Sequence, residues 1–150
     1  MKKVLIFLIL LYGHLFAVDI SSALKVYNKV FPILVHKPTV RVYTDNQEYK
    51  NIFKQSKKII LEESPEKADI IFVTKKTTIL EMIQKQSFMQ QKKKPVIFVS
   101  NYRLLKYSSD IVGAFYWRKG RSQLLFIEKR LTDHNITLPK EYESFSVDEL

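Results

Sequence analysis

Between Ala68 and Thr78 the chain reads ADIIFVTKKTT. Ile70, Ile71, Phe72 and Val73 are apolar at every position, with no alternation. A strand with one wet face alternates; an unbroken run suits a strand buried on both faces, as in the middle of a parallel sheet. Such a sheet is covered by helices on both sides, because each parallel connection crosses over it. The chemistry then switches to Thr74, Lys75, Lys76, Thr77 and Thr78. Thr78 with Glu81 three residues on has the form of a capping box, and an apolar helical pattern starts there. A buried strand thus runs straight into a helix N-terminus, at the edge of an open α/β sheet where ligands usually bind.

The rest of the chain follows that grammar. Ile20, Ala23, Leu24, Tyr27, Val30, Phe31 and Leu34 recur at steps of three and four after Asp19, a candidate cap. They predict an amphipathic helix, interrupted near Pro32 and ended before Pro38. Thr39–Thr44 alternates and is β-branched, so it predicts a strand. Asp45 with Glu48 repeats the cap pattern before a short helix that buries Tyr49, Ile52 and Phe53. Lys58–Leu61 is a further strand, followed by a polar turn from Glu62 to Glu66. The helix after Thr78 places Ile79, Leu80, Met82 and Ile83 inward and fades near Gln90. Val96–Val99 is the next buried strand, and Asn101 caps a short helix carrying Leu104 and Leu105.

From Ile111 the pattern changes. Ile111–Arg118 and Ser122–Ile127 are strands joined by Lys119-Gly120-Arg121, a three-residue hairpin loop. Glu128–His134 forms one or two helical turns, with Asn135 in the left-handed C-terminal position. The tail has Tyr142 and Phe145 but no periodicity. The expected fold is one α/β domain, a three-layer sandwich with a mostly parallel sheet and an antiparallel C-terminal hairpin.

Composition excludes several chemistries. Three glycines are too few for a Gly-rich nucleotide loop. The absence of cysteine removes disulfides, thiolate metal sites and a cysteine nucleophile. With three scattered histidines, neither a metal nor a cofactor is expected. Lys2 and Lys3, the apolar Val4–Tyr12 and the Leu15-Phe16-Ala17 motif have the layout of an export signal cleaved after Ala17. The uncharged stretch Val4–Val18 is shorter than the ~20 residues of a spanning helix, and an uncleaved anchor is the alternative. Residues 1–17 are therefore read as the signal and 18–150 as the domain. Cleavage takes two charges from the formal +10. Export argues against a nucleic-acid partner for the rest. Anionic lipid heads, cell-wall polymers or an acidic protein surface remain, beside a simple solvated surface.

Two groups of residues are candidates for function. Asp45, Thr74, Lys75, Thr77, Thr78, Ser100 and Asn101 all follow the carboxyl ends of predicted strands. Short hydroxyl and amide groups there, beside free helix N–H groups, suit a small anion or polar ligand. The competing reading is that Asp45, Thr78 and Asn101 only cap their own helices. The second group is Tyr116, Trp117, Arg118 and Arg121 at the hairpin tip, with the composition of an interface hot spot. Alternation puts Phe115 and Trp117 on one face and Tyr116 and Arg118 on the other; Trp117 is open between a partner and the core. No catalytic constellation is expected. No strand ends in a Gly-flanked Ser, and Glu62 and Glu63 are adjacent, as are Asp133 and His134. His36 and His134 read as exposed loop residues.

The segment Gly113–Leu138, GAFYWRKGRSQLLFIEKRLTDHNITL, resembles the C-terminal part of the YfiR family of small exported α/β proteins. Gly113, the Lys119-Gly120-Arg121 turn, Phe126, Asn135 and Ile136–Leu138 carry the likeness. The resemblance implies a periplasmic, non-enzymatic regulator that binds and restrains an inner-membrane signalling enzyme, a diguanylate cyclase or sensor kinase. A homodimer is a further expectation, from a hairpin at a sheet edge. The usual Trp-Pro pair after the first helix is absent, and so are the cysteines through which some members are redox controlled.

Overall fold

The computed structural model describes residues 22–85 and 94–149. The export signal, the Asp19 cap, Ile20 and the end of the third helix near Gln90 lie outside the described residues. The described part is a three-layer α/β fold on one seven-stranded sheet. In chain order the elements are helix α1 (residues 22–35), β1 (Val40–Thr44), α2 (Gln47–Phe53), β2 (Ile59–Leu61), β3 (Ile70–Val73), α3 (Lys76–Lys85), β4 (Val96–Val99), β5 (Ile111–Arg118), β6 (Arg121–Ile127), α4 (Glu128–Asp133) and β7 (Ser146–Val147). Three 3-10 turns, Pro65–Lys67, Tyr102–Tyr107 and Lys140–Phe145, fill connections.

The strand order is β2-β1-β3-β4-β5-β6-β7. Pairing is parallel from β2 through β5, antiparallel between β5 and β6, and parallel again between β6 and β7. Every residue of β3 and β4 is buried, as an apolar run in mid-sheet requires. Ile70 and Phe72 face a core shared with α1 and α2, while Ile71 and Val73 face one shared with α3 and the Tyr102–Tyr107 turn. On α3 only Ile79 and Met82 are buried; Leu80 and Ile83 face solvent, contrary to the four-residue stripe expected. One helix lying on a sheet hides only the side that touches it.

The first core is aromatic. The Tyr27 ring lies 5.3 Å from Phe53, 5.2 Å from Phe72 and 5.4 Å from Phe115, each edge-on. Phe31 packs on Phe98 at 5.8 Å. Burial first, and then Tyr49, raises the Tyr27 hydroxyl well above its usual pKa, so it stays neutral. This packing explains a departure from expectation: α1 runs through Pro32 to residue 35 without a break. The missing Pro32 amide costs one helix bond. Val30, Phe31, Leu34 and Val35, buried on either side of it, hold the helix in place. His36, at φ 54°, ends α1, and the Lys37 amide donates back to the Pro32 carbonyl at 3.2 Å. Asn135 closes α4 as expected, at φ 56°, with Ile136 N–H on the Leu131 carbonyl at 2.9 Å.

Two constraints shape the C-terminal half. Between Ile97 and Phe98 the β4–β5 register shifts, so Val112 is an extra residue and Gly113 stands opposite Phe98. A Cβ on Gly113 would lie 2.6 Å from the Leu125 carbonyl oxygen and 2.9 Å from the Phe98 ring. Glycine here lets Phe98 and Phe126 close over the strand. Arg130 of α4 supplies the second constraint. Its Nη1 reaches the carbonyls of Leu105, Ser108 and Ile111 at 2.9, 3.0 and 2.9 Å. Burial lowers the guanidinium pKa, with Asp110 and Glu149 opposing, yet an arginine remains charged at neutral pH. The tail, unpatterned in sequence, lays β7 along Phe126 and Ile127. The hairpin is therefore not the outermost pair of the sheet, as the homodimer argument assumed.

Gly113→Ala is expected to destabilise the fold by about 1–3 kcal/mol through overpacking, read by chemical denaturation. Arg130→Met, which keeps the stem and removes the donors, is expected to cost about 2–3 kcal/mol in the same measurement.

Candidate functional site

In the order β2-β1-β3, the chain winds one way from β1 and the other way from β3, so the sheet's switch point lies between them. The crevice outside the carboxyl ends of those strands is the usual ligand position. Asp45 follows β1; Thr74 and Lys75 follow β3; Thr77 and Thr78 stand in the first turn of α3. The fold brings Asp45, Thr74, Lys75 and Thr78 into contact. One Asp45 oxygen accepts from the Thr74 amide and the Thr74 hydroxyl, both at 2.9 Å. The other accepts from the Lys75 amide at 3.2 Å and the Thr78 hydroxyl at 2.7 Å.

That geometry corrects two sequence expectations. Asp45 does not cap its own helix: Asn46 does, accepting from the Glu48 and Tyr49 amides at 2.9 and 3.2 Å. Thr78 is not a cap either, since α3 begins at Lys76 and the Thr78 hydroxyl is donated to Asp45. An internal carboxylate thus sits where a bound anion would lie at the start of α3. Thr77 is exposed and takes no part in this contact set. Ser100 and Asn101 lie one strand over, after β4. The Ser100 amide donates to the Val73 carbonyl at 3.1 Å, and Asn101 caps the 3-10 turn through the Arg103 amide at 3.0 Å, as expected. Asp45→Ala is expected to cost about 2–4 kcal/mol, and to be non-additive with Thr78→Val by at least about 0.5 kcal/mol in a double-mutant cycle.

The second candidate group is the β5–β6 hairpin. Arg118 pairs with Arg121, so the turn is the two residues Lys119-Gly120, not the three-residue loop expected. Their φ values of 50° and 74° are the positive pair that a tight primed turn needs. Trp117 is 44% exposed, with its ring 6.1 Å from buried Phe115. On the opposite face Tyr116 stacks on Tyr102 at 4.9 Å, and the Arg103 guanidinium lies 6.0 Å from the Tyr102 ring centre. Arg103 lowers the Tyr102 hydroxyl pKa, with Arg118 adding to it. On the Trp117 side runs a groove of about 230 Å³, lined by Val26, Lys29, Phe115, Leu124, Tyr142 and Phe145. Phe145 is itself 42% exposed. Sequence reading missed Phe145 and the groove, because the tail has no periodicity to place it.

A third cavity, about 600 Å³, opens at the amino end of the strands, with His36, Asp69, Lys94, Asp110 and His134 on its wall. Asp69 is held by Lys37 and the Arg41 amide, and Asp110 faces Lys94 at 3.7 Å. His134 is not the exposed loop residue expected: it is half-buried, with Nδ1 2.9 Å from the Arg130 carbonyl. Among the described residues no group of three or more His, Asp or Glu side chains is placed to hold a metal ion. No described helix is long and apolar enough to cross a membrane. No protein-family model, curated protein or solved structure matches the chain.

Proposed function

We propose that the protein is a non-enzymatic regulatory or sensory protein of the periplasm, exported on residues 1–17, that binds an inner-membrane signalling partner of the diguanylate cyclase or sensor kinase type. The observation that carries the reading is the contrast between the two candidate surfaces. At the strand ends Asp45 takes the amide and hydroxyl donors that an anion would need. That makes the small-ligand alternative the weaker one. At the hairpin Trp117 and Phe145 stand open beside an apolar groove with Lys29 on its wall. Exposed aromatics over an apolar depression are the chemistry of a protein-contact hot spot. The export signal and the resemblance of Gly113–Leu138 to the YfiR family supply the compartment and the kind of partner.

Affinity capture from solubilised membranes tests the reading. The protein is expected to retain an integral membrane protein that has a periplasmic region and a cytoplasmic signalling domain. Phe145→Ser in the groove is expected to weaken that complex about thirtyfold or more while thermal unfolding stays cooperative. Capture that is unchanged in Phe145→Ser removes the groove from the interface. Retention of only soluble proteins ends the regulatory reading.

A further inference from the structure

Charge is unevenly distributed along the chain. Residues 74–127 hold eleven Lys and Arg against two carboxylates, Glu81 and Asp110. Asp110 lies at the amino edge of the sheet facing Lys94, so it does not offset the cations at the carboxyl edge. At that carboxyl edge stand Arg118, Lys119 and Arg121 of the hairpin and Arg103 of the neighbouring turn, all exposed. Asp45 shares the edge, but its oxygens are taken by Thr74, Lys75 and Thr78. Glu48 lies further along, beyond β1 on α2. None of Arg118, Lys119 and Arg121 forms an ion pair among the described residues. The tip is also open to solvent: a Cβ on Gly120 would meet nothing within 4 Å, and residues 117–121 are all exposed.

A second, independent observation concerns the direction of α1. Val26 and Lys29 lie beside Phe115 and Ser122, near the hairpin tip. Val35 and His36, at its other end, lie beside Asp69 and Val96, where β3 and β4 begin. The helix therefore runs from the carboxyl edge of the sheet to the amino edge. The domain's first described helix thus begins at the edge that carries the cations and Trp117.

We infer that this edge faces a membrane and rests on anionic lipid headgroups. Trp117 sits at headgroup level, where indole rings prefer to lie. Arg118, Lys119 and Arg121 supply attraction to a negative surface, about fivefold in affinity for each cation near it. An exposed, two-residue tip fits a headgroup layer; an acidic peptide would call for a cleft between the cations. The inference deepens the regulatory reading and rests on it for a lipid surface within reach, but its test does not require the signalling partner.

Trp117 is the sole tryptophan, so its fluorescence reports on the tip. The processed chain, residues 18–150, is mixed with phosphatidylcholine vesicles that contain or lack phosphatidylglycerol. The expected result is a blue shift of the Trp117 emission with the anionic vesicles only, reversed by high salt. Arg118→Glu with Arg121→Glu is expected to abolish the shift while leaving the circular dichroism spectrum unchanged, since both side chains are exposed. No shift with anionic vesicles overturns the inference, as does an equal shift with neutral ones or an unaffected double variant. A shift produced by soluble polyglutamate but not by vesicles overturns it in favour of an acidic polypeptide. If the vesicle shift is absent while Phe145→Ser still loses its membrane partner, the lipid contact falls and the regulatory reading stands. The reverse pattern sinks the partner and keeps the lipid.

Discussion

The cluster of rings around Tyr27 and Phe72 is the interaction on which the rest of this structure hangs. It joins α1, α2, β3 and β5. Edge-on aromatic pairs add about 0.5–1.5 kcal/mol each beyond the area they bury. With several sharing one ring, the cluster outweighs what α1 loses at Pro32. It also fixes which face of the sheet α1 covers, and so which end of α1 lies near the hairpin. The placement of the groove under Trp117 follows from that choice.

The switch point between β1 and β3 shows how a fold can close a site that its topology offers. Two strands end side by side, and the Thr74 and Lys75 amides just before α3 point at the gap. Asp45, delivered by β1, fills the gap with its own carboxylate. The result is a staple between the two halves of the sheet. The Asp45 carboxylate is thus met within the fold, whereas Arg118, Lys119 and Arg121 of the hairpin have no ion pair among the described residues. The functional proposal follows from that asymmetry between a satisfied edge and an unsatisfied tip.

Much of the architecture is legible in the chain itself. The unbroken apolar runs of β3 and β4 indicated a parallel sheet covered on both sides. The three-and-four spacing of Tyr27, Val30, Phe31 and Leu34 located α1, and Asn135 marked the end of α4. Where the reading failed, the deciding partner was distant in sequence. Asp45 looked like a local cap because Glu48 follows three residues on, but its donors are about thirty residues away. Pro32 looked like a helix break because its neighbours in space could not be seen. The groove at Phe145 was invisible, since a tail without periodicity acquires a position only by packing on something else.

By itself, then, the sequence determined the periods: which segments alternate, which are buried throughout, and where turns and caps interrupt them. These depend on backbone geometry and on residues a few positions apart. Only the tertiary structure decided the pairing of Asp45 with Thr74 and Thr78, the bulge that seats Gly113 between Phe98 and Phe126, and the exposure of Trp117. Each of those depends on groups far apart in the chain meeting within a few ångströms, and local patterning carries no record of such meetings.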